Sequence, residues 1–484
     1  YKLNGRTFKL FGLGCAPIGI PREAIRRWFV ERLGANFTLV RFHMMPRASH
    51  FYEIADEVGM CVKDESAFYC AARVYALDDE RFWRNLRNHI RGMVLRSRNH
   101  PSLLIWSVEN EILHCGGWAV KGTDERIFSL GRLIKSLDPT RPIEFEGDGD
   151  ILGRAETANL HYPREFGCHD HNLWPNDAYW LRRGEKNDRW PRDFVWKRDK
   201  PLIIGEFCYY PYSRPPGGVS IFLGDEVYAS REAERRAHLI GVKFLCDALR
   251  RQGVAGLNPW VSDLRYSRTC LKHIAVTFER YDKTFFGGEV VRRNIGIHND
   301  TLFTKRLRVV VASLLPNFKP VRRIEKVLTL APGTMRLLPF GWRMPAVKRR
   351  TKITLVVKGY EGDRMVCYEE RTFWAFGKLF PLERTLRVAV FDPEGETFKA
   401  LDKLLGLRMS RLESLAPLKP GAFDLLLIAP GAAGTKEFAR NAEKVREFAE
   451  GGGLVFVFEQ TEMPRWLPVR LTLDKRRPAT MAHI

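Results

Sequence analysis

The strongest constraint on the fold of this chain is an alternation of short apolar runs with amphipathic stretches over residues 1–282. The runs fall at 7–13, 36–42, 60–64, 102–108, 142–146, 157–161, 201–206 and 253–258. Each is too short for a buried helix, so each is predicted as a strand. Helices are predicted between them at Arg22–Leu33, Asp79–Arg98, Asp124–Ser136 and Glu232–Arg251. The segment 79–98 opens on acidic residues and closes among arginines, as the helix dipole favours. Strand–helix alternation gives a parallel sheet, and eight strands predict a closed (β/α)8 barrel in the α/β class. From 287 to 380 the period becomes two, with runs such as Leu307–Val311 and Thr351–Val357, which predicts an antiparallel β-sandwich. From 384 to 484 α/β alternation returns: strands at 386–391, 424–428 and 454–458, and a helix at 435–450.

Two of the barrel runs end abruptly in carboxylates. Ser102-Leu103-Leu104-Ile105-Trp106-Ser107-Val108 runs into Glu109-Asn110-Glu111, and Leu202-Ile203-Ile204-Gly205 into Glu206. Barrel enzymes place their catalytic groups at the C-terminal ends of their strands. A carboxylate on each of two strands is what retaining glycoside hydrolysis requires, one to protonate the leaving oxygen and one to attack the sugar carbon.

Composition narrows the alternatives. The 79 basic residues outweigh 57 acidic ones, giving a net charge of +22 and a pI near 9.7. An anionic glycan partner would fit that field, but the arginines are scattered over every segment, which favours a general surface bias. No basic module interleaved with aromatics stands out, so nucleic acid is not an expected partner. No segment approaches 18 uninterrupted apolar residues, and no membrane span is expected. The nine cysteines lie far apart without CxxC spacing, which favours free thiols over a disulfide framework and leans toward a reducing, cytoplasmic setting. A homo-oligomer is compatible with all of this.

The string Asn99-His100-Pro101-Ser102 through Trp106-Ser107 to Asn110-Glu111 resembles the acid/base motif of glycoside hydrolase family 2, the β-galactosidase, β-glucuronidase and β-mannosidase group. Lys200-Pro201-Leu202-Ile203-Ile204-Gly205-Glu206-Phe207 resembles that family's nucleophile strand. Further similar strings follow in the family's order: Tyr1–Arg6, Gly34–His43, Phe51–Gly59, Asp64-Glu65-Ser66 and Asp138–Pro142. The resemblance implies a TIM barrel that hydrolyses terminal β-linked sugars of a carbohydrate substrate, β-galactosides as a first guess. It implies Glu111 as general acid/base, with a raised pKa, and Glu206 as nucleophile. Arg41 would neutralise Glu206, and Asn110 would bind the sugar 2-hydroxyl. His43, His161, Tyr162 and Trp260 are further substrate-binding candidates; for His43 a core histidine bonded to a carboxylate is an equally open reading. The family's domains upstream of the barrel are expected before Tyr1. Residues 384–484 resemble the Rossmann-like, glutamine-amidotransferase-like domain appended to some β-galactosidases. No cysteine follows Cys367, so amidotransfer is excluded, and the Gly431–Gly434 turn is read as a tight turn rather than a phosphate site.

Departures from the family bear on substrate and cofactor. Where magnesium-dependent members carry a Glu and a His, this chain has Tyr69 and Ala71, so neither that metal site nor any cofactor is expected. Ala67 stands in place of a sugar-binding asparagine, and the Asn-x-Lys signature of glucuronidases is missing between strands seven and eight. Shifted specificity is therefore expected, with β-glucuronidase-like or β-mannosidase-like activity as alternatives. A catalytically inactive carbohydrate-binding relative is a second class of reading. Cys168-His169-Asp170-His171 with His114-Cys115 suggests a metal hydrolase as a third; the dense loop spacing favours a polar substrate loop instead.

Overall fold

A computed structural model describes residues 1–70, 72–163, 181, 184, 186, 191, 194–208, 223–260, 264–377, 386–405 and 409–460. The chain divides into two compact units, 1–376 and 377–476.

The first unit opens with the barrel. Its strands are β1 (Leu10–Leu13), β2 (Leu39–Phe42), β3 (Cys61–Glu65), β4 (Leu103–Asn110), β5 (Ile143–Glu146), β6 (Ala158–His161), β7 (Leu202–Phe207) and β8 (Gly256–Pro259). All pair in parallel in the order β5-β4-β3-β2-β1-β8-β7-β6. The ring is nearly closed. Between β5 and β6 the join is made by Asp148–Gly149, which pairs antiparallel with β6, and by the Asn159 side chain. Asn159 accepts from Gly147 N at 3.2 Å and donates to Glu144 Oε2 at 3.1 Å.

The helices wrap the outside because each has one apolar stripe. In Glu80–Ser97 the buried residues Trp83, Leu86, Ile90, Met93, Val94 and Ser97 recur at helical spacing, and Asp79 caps the first turn by accepting from Arg81 N. Inside the ring, Leu10, Leu39, Ile105 and Ile203 form one apolar layer at the N-terminal end. Above it the interior turns polar. Arg41, Lys63, Glu65, Glu144, Glu146, Asn159, His161 and Asn258 are all buried. A barrel filled with charge at that level has been shaped for chemistry rather than packing.

The same unit continues into two facing sheets. One holds Ile274–Phe278, Val290–Asn299 and Thr334–Arg343; the other holds Thr284–Phe286, Lys305–Leu314, Pro320–Leu330, Thr351–Glu361 and Arg364–Phe376. Their inner faces share one core that includes Val309, Phe340, Trp342 and Phe373. The boundary expected near residue 282 falls earlier, because Ile274–Phe278 pairs with Val290–Asn299 rather than with the barrel. Ile274–Phe278 is buried at every position and so reads like one more barrel strand, which hid the change of domain.

The second unit contains a four-stranded parallel sheet in the order Met409–Leu412, Val388–Phe391, Leu425–Ile428, Leu454–Val457, with helices Glu396–Leu405 and Lys436–Glu450. The Gly431–Gly434 turn is held by its own chain, since Ala433 N donates to Gln460 Oε1 and Gly431 N to Glu459 O. Among the described residues no helix is long and apolar enough to cross a membrane.

Candidate active site

The site is built at the C-terminal ends of the barrel strands. Period-two alternation alone would send Gly205 and Glu206 to opposite faces of β7. A register shift between Ile204 and Glu206 against β6 re-aims the carboxylate toward the barrel mouth. Gly205 is the residue that makes this layer possible. A Cβ there would lie 2.3 Å from Asn159 Oδ1 and 2.4 Å from Glu146 Oε1, so any side chain would displace the charged cluster.

Arg41 is the hub. Fully buried, it donates from Nε to Glu65 Oε2 at 2.7 Å, from Nη1 to Glu206 Oε1 at 2.7 Å, and from Nη2 to Asn110 Oδ1 at 2.6 Å. Glu206 also accepts from the Tyr162 hydroxyl. Glu65 is fixed in turn by Met44 N and by the Ser107 hydroxyl. Burial pushes the Glu65 carboxyl up, but Arg41 and His43 outweigh it and bring it down to about 2. Lys63 extends the network below, donating to Glu144 Oε2 at 2.6 Å and Glu146 Oε2 at 2.8 Å.

His161 ties the two expected catalytic glutamates together. Its Nδ1 lies 2.7 Å from Glu111 Oε1 and 3.7 Å from Glu206 Oε1, while Nε2 is 3.4 Å from Glu146 Oε1. Burial alone would lower its pKa. The surrounding carboxylates, Glu206 first, raise it instead to about 10, so at neutral pH the ring is an imidazolium. One oxygen of Glu111, a ring nitrogen of His161 and one oxygen of Glu206 all lie within 4.8 Å of one another.

This arrangement corrects one expectation. Glu111 was expected to have a raised pKa. Burial does push it up, but the His161 hydrogen bond and charge, with His114 and Arg41, outweigh burial and hold it below the usual range. Of the two carboxyls at this strand end, the raised one is Glu109. Burial and the neighbouring Asp148 push it well above normal, and it accepts from Ile112 N, facing Asp148 rather than Glu206.

The other expected residues are distributed as follows. Asn110 is turned to Arg41. His43 lies 3.4 Å from Glu65 and packs edge-on against Trp260, whose ring also faces Arg41. Trp260 can lie there because Gly14 leaves room; a Cβ at Gly14 would sit 1.9 Å from the indole. Tyr69 bridges to Asn110 on the strand-end side. Ala71 and the Cys168–His171 cluster lie outside the described residues. Among the described residues, sequence reasoning missed Lys63, Glu144, Glu146 and Asn159 as parts of the site. A signal existed: Ile143-Glu144-Phe145-Glu146 places a charge at every second position of a barrel strand, the inward-facing set.

Glu111, Tyr162, Met44, Cys15 and Cys208 all have positive φ, between 44° and 62°, and all directly follow barrel strand ends or sit one residue beyond. For residues other than glycine this conformation costs roughly 1 kcal/mol or more each, strain that concentrates at functional sites.

Residues 29–219 match the model of the glycosyl hydrolases family 2 TIM barrel domain. Over those residues the chain is similar to the family 2 barrel. A β-galactosidase of Leuconostoc mesenteroides subsp. mesenteroides is 32% identical over 117 residues, covering 24% of this chain and 10% of that protein. The crystal structure of a β-D-mannosidase from Dictyoglomus thermophilum superposes with a TM-score of 0.55 at 17% identity, covering 80% of this chain and 52% of that one. The likeness to the mannosidase is one of fold. The chain thus spans a tenth of the galactosidase's length and about half of the mannosidase's.

Proposed function

We propose that this chain is the catalytic part of a retaining, exo-acting β-glycosidase, with Glu206 as nucleophile and Glu111 as acid/base. The observation that carries the reading is the approach of the two carboxylates, with oxygen atoms within 4.8 Å across His161. Retaining enzymes hold this pair roughly 5 Å apart, whereas inverting ones leave about 6.5–9.5 Å for a water. Arg41 and the Tyr162 hydroxyl both donate to Glu206 and orient it as a nucleophile. Asn110, held by Arg41, is placed beside both carboxylates to meet a sugar hydroxyl.

Glu111 and His161 work as one acid in this reading. The proton rests on His161, 2.7 Å from Glu111. As Glu206 attacks the anomeric carbon its charge is consumed, and the largest influence raising His161 disappears. The imidazolium then becomes more acidic just as the departing oxygen needs a proton: His161 passes its proton to the Glu111 carboxylate, and Glu111 delivers it to that oxygen.

Galactose is the first sugar to test, since the Leuconostoc relative bears that name; mannose and glucuronate follow. We take the 384–484 segment as a non-catalytic appendage resembling amidotransferase-like domains, with no nucleophilic cysteine of its own. The test is trapping with 2-fluoro-glycosides of these sugars, followed by mass spectrometry. Label should appear on Glu206. Glu206→Ala should lose nearly all turnover and regain it with azide, as the α-glycosyl azide. Label on any other residue refutes the assignment, and absence of turnover with every glycone supports a non-catalytic binding protein instead.

A further inference from the structure

Directly behind Glu111 the structure gathers two thiols that the reaction does not use. Cys115 follows Glu111 by one helical turn, and its Sγ lies 4.0 Å from Glu111 Oε2. Cys70, at the end of the β3 loop, completes a group in which both sulfurs and a Glu111 oxygen lie within 4.8 Å of one another. His114 Nδ1 is 4.0 Å from the other Glu111 oxygen. The thiols face a cavity of about 370 Å³ that is also lined by Arg73, His114 and Trp118. Cys70 is exposed and Cys115 partly so, which gives an ion a route in from solvent.

We propose that Cys70, Cys115 and Glu111 form a binding site for a thiophilic divalent cation such as zinc, which on binding withdraws Glu111 from catalysis. The ligand set fits that class of ion. Zinc takes thiolate sulfur at about 2.3 Å and carboxylate oxygen at about 2.0–2.2 Å in a tetrahedron. The edges of such a tetrahedron are roughly 3.5–3.8 Å, so closing the site from its present spacing needs movements of only about an ångström. Two soft sulfur donors exclude magnesium and calcium, which prefer all-oxygen shells. Charge balances as well. Two thiolates, one carboxylate and one divalent ion leave a single negative charge, which the Arg73 guanidinium in the same cavity answers. Binding is a substitution without redox change: the ion replaces two thiol protons, which pass to solvent, and the Glu111 oxygen completes a third bond. Occupancy would fix Glu111 on the cation, away from His161 and the leaving oxygen. The inhibitory half of this inference rests on the acid/base role proposed above; the binding half does not.

The test uses the full chain and cadmium as a spectroscopic probe for zinc. Titration should give one ion per chain with a cadmium–thiolate charge-transfer band in the ultraviolet. Cys70→Ser and Cys115→Ser should each lose most of that band, and Glu111→Gln should weaken binding about tenfold or more. Zinc should inhibit turnover of the wild-type enzyme reversibly, with recovery on chelation, while Cys70→Ser keeps its basal activity and resists zinc. A band that survives in the Cys70→Ser, Cys115→Ser double variant overturns the site. Cysteine-dependent binding with undiminished turnover overturns the inhibitory role. Cysteine-dependent binding in a chain that turns over no glycoside leaves the site standing and overturns the acid/base reading instead.

Discussion

Replacing His161 by Gln tests the proton inventory of the site. In the native chain the imidazole pKa stands at about 10 against an ordinary 6.5, because Glu206, Glu111 and Glu146 surround it at 2.7–3.7 Å. The native state therefore holds one proton more than the unfolded state between those two pH values. A group raised on folding contributes its full stabilisation below the unfolded pKa and loses it as pH rises through the folded one. The slope is about 1.4 kcal/mol per pH unit, so the whole window amounts to roughly 4–5 kcal/mol. His161→Gln should abolish that slope. Denaturant unfolding of the barrel, followed by tryptophan fluorescence from pH 6 to 10, reads it as the difference between wild type and variant. Kinetics give a second reading. If Glu111 draws its proton from His161, wild-type kcat/KM for a poor leaving group should hold to well above pH 8. In the variant Glu111 must supply its own proton, and the basic limb should move down by several pH units. At pH 8 that is a loss of about a hundredfold or more, with a much smaller effect on a dinitrophenyl glycoside. A variant whose stability difference is flat over this window and whose basic limb stays in place would refute the shared-proton argument.

Three further expectations follow from the same geometry. Lys63→Met leaves Glu144 and Glu146 without their shared cation in the barrel interior and should cost about 3–5 kcal/mol in denaturant unfolding; a loss below about 1 kcal/mol would mean the two carboxylates find another partner. In metal-free buffer EDTA should leave activity unchanged, because the Tyr69 phenol cannot replace the carboxylate ligand of the family's magnesium site; a magnesium-reversible loss would show another group serving as ligand. Glu111→Ala should slow substrates with basic leaving groups greatly while an activated aryl glycoside still forms the intermediate, and Glu109→Ala should show no such dependence, since Glu109 faces Asp148 and Ile112 N. Leaving-group dependence in the Glu109 variant alone would place the acid two residues earlier.

The eight barrel strands were legible because each is an apolar run too short for anything but a buried strand, bounded by polar turns. Helix limits such as Arg22–Leu33 were legible for the complementary reason, an amphipathic stretch between two such runs. What sequence could not reveal is which way residues point once a strand stops being regular. The register shifts at Ser107–Asn110 and Ile204–Glu206 break period two at the very positions where the carboxylates emerge. Glu109 and Glu111 therefore could not be told apart by alternation. The reversal of the shift expected at Glu111 has the same root. Burial was foreseeable from the apolar strand, but His161 arrives from β6, fifty positions later in the chain, and its charge decides the sign at Glu111.

The charge count of the barrel mouth explains why so much strain and burial is concentrated there. Arg41, Lys63 and the His161 imidazolium face the carboxylates of Glu65, Glu111, Glu144, Glu146 and Glu206. Three cations against five carboxylates leave the ligand-free site short of positive charge. A neutral glycoside supplies none on binding. Positive charge appears only as the glycosidic bond breaks and the ring takes on oxocarbenium character. Interactions that strengthen only at that moment lower the barrier rather than the ground state. In the proposed reading, the left-handed backbone at Glu111 and Tyr162 keeps the acid and the nucleophile's hydrogen-bond donor fixed around the point where that charge develops. If Glu111 and Glu206 act as proposed, the cluster is a preorganised negative field, and the apolar layer beneath and the helices around it offset the cost of holding it together.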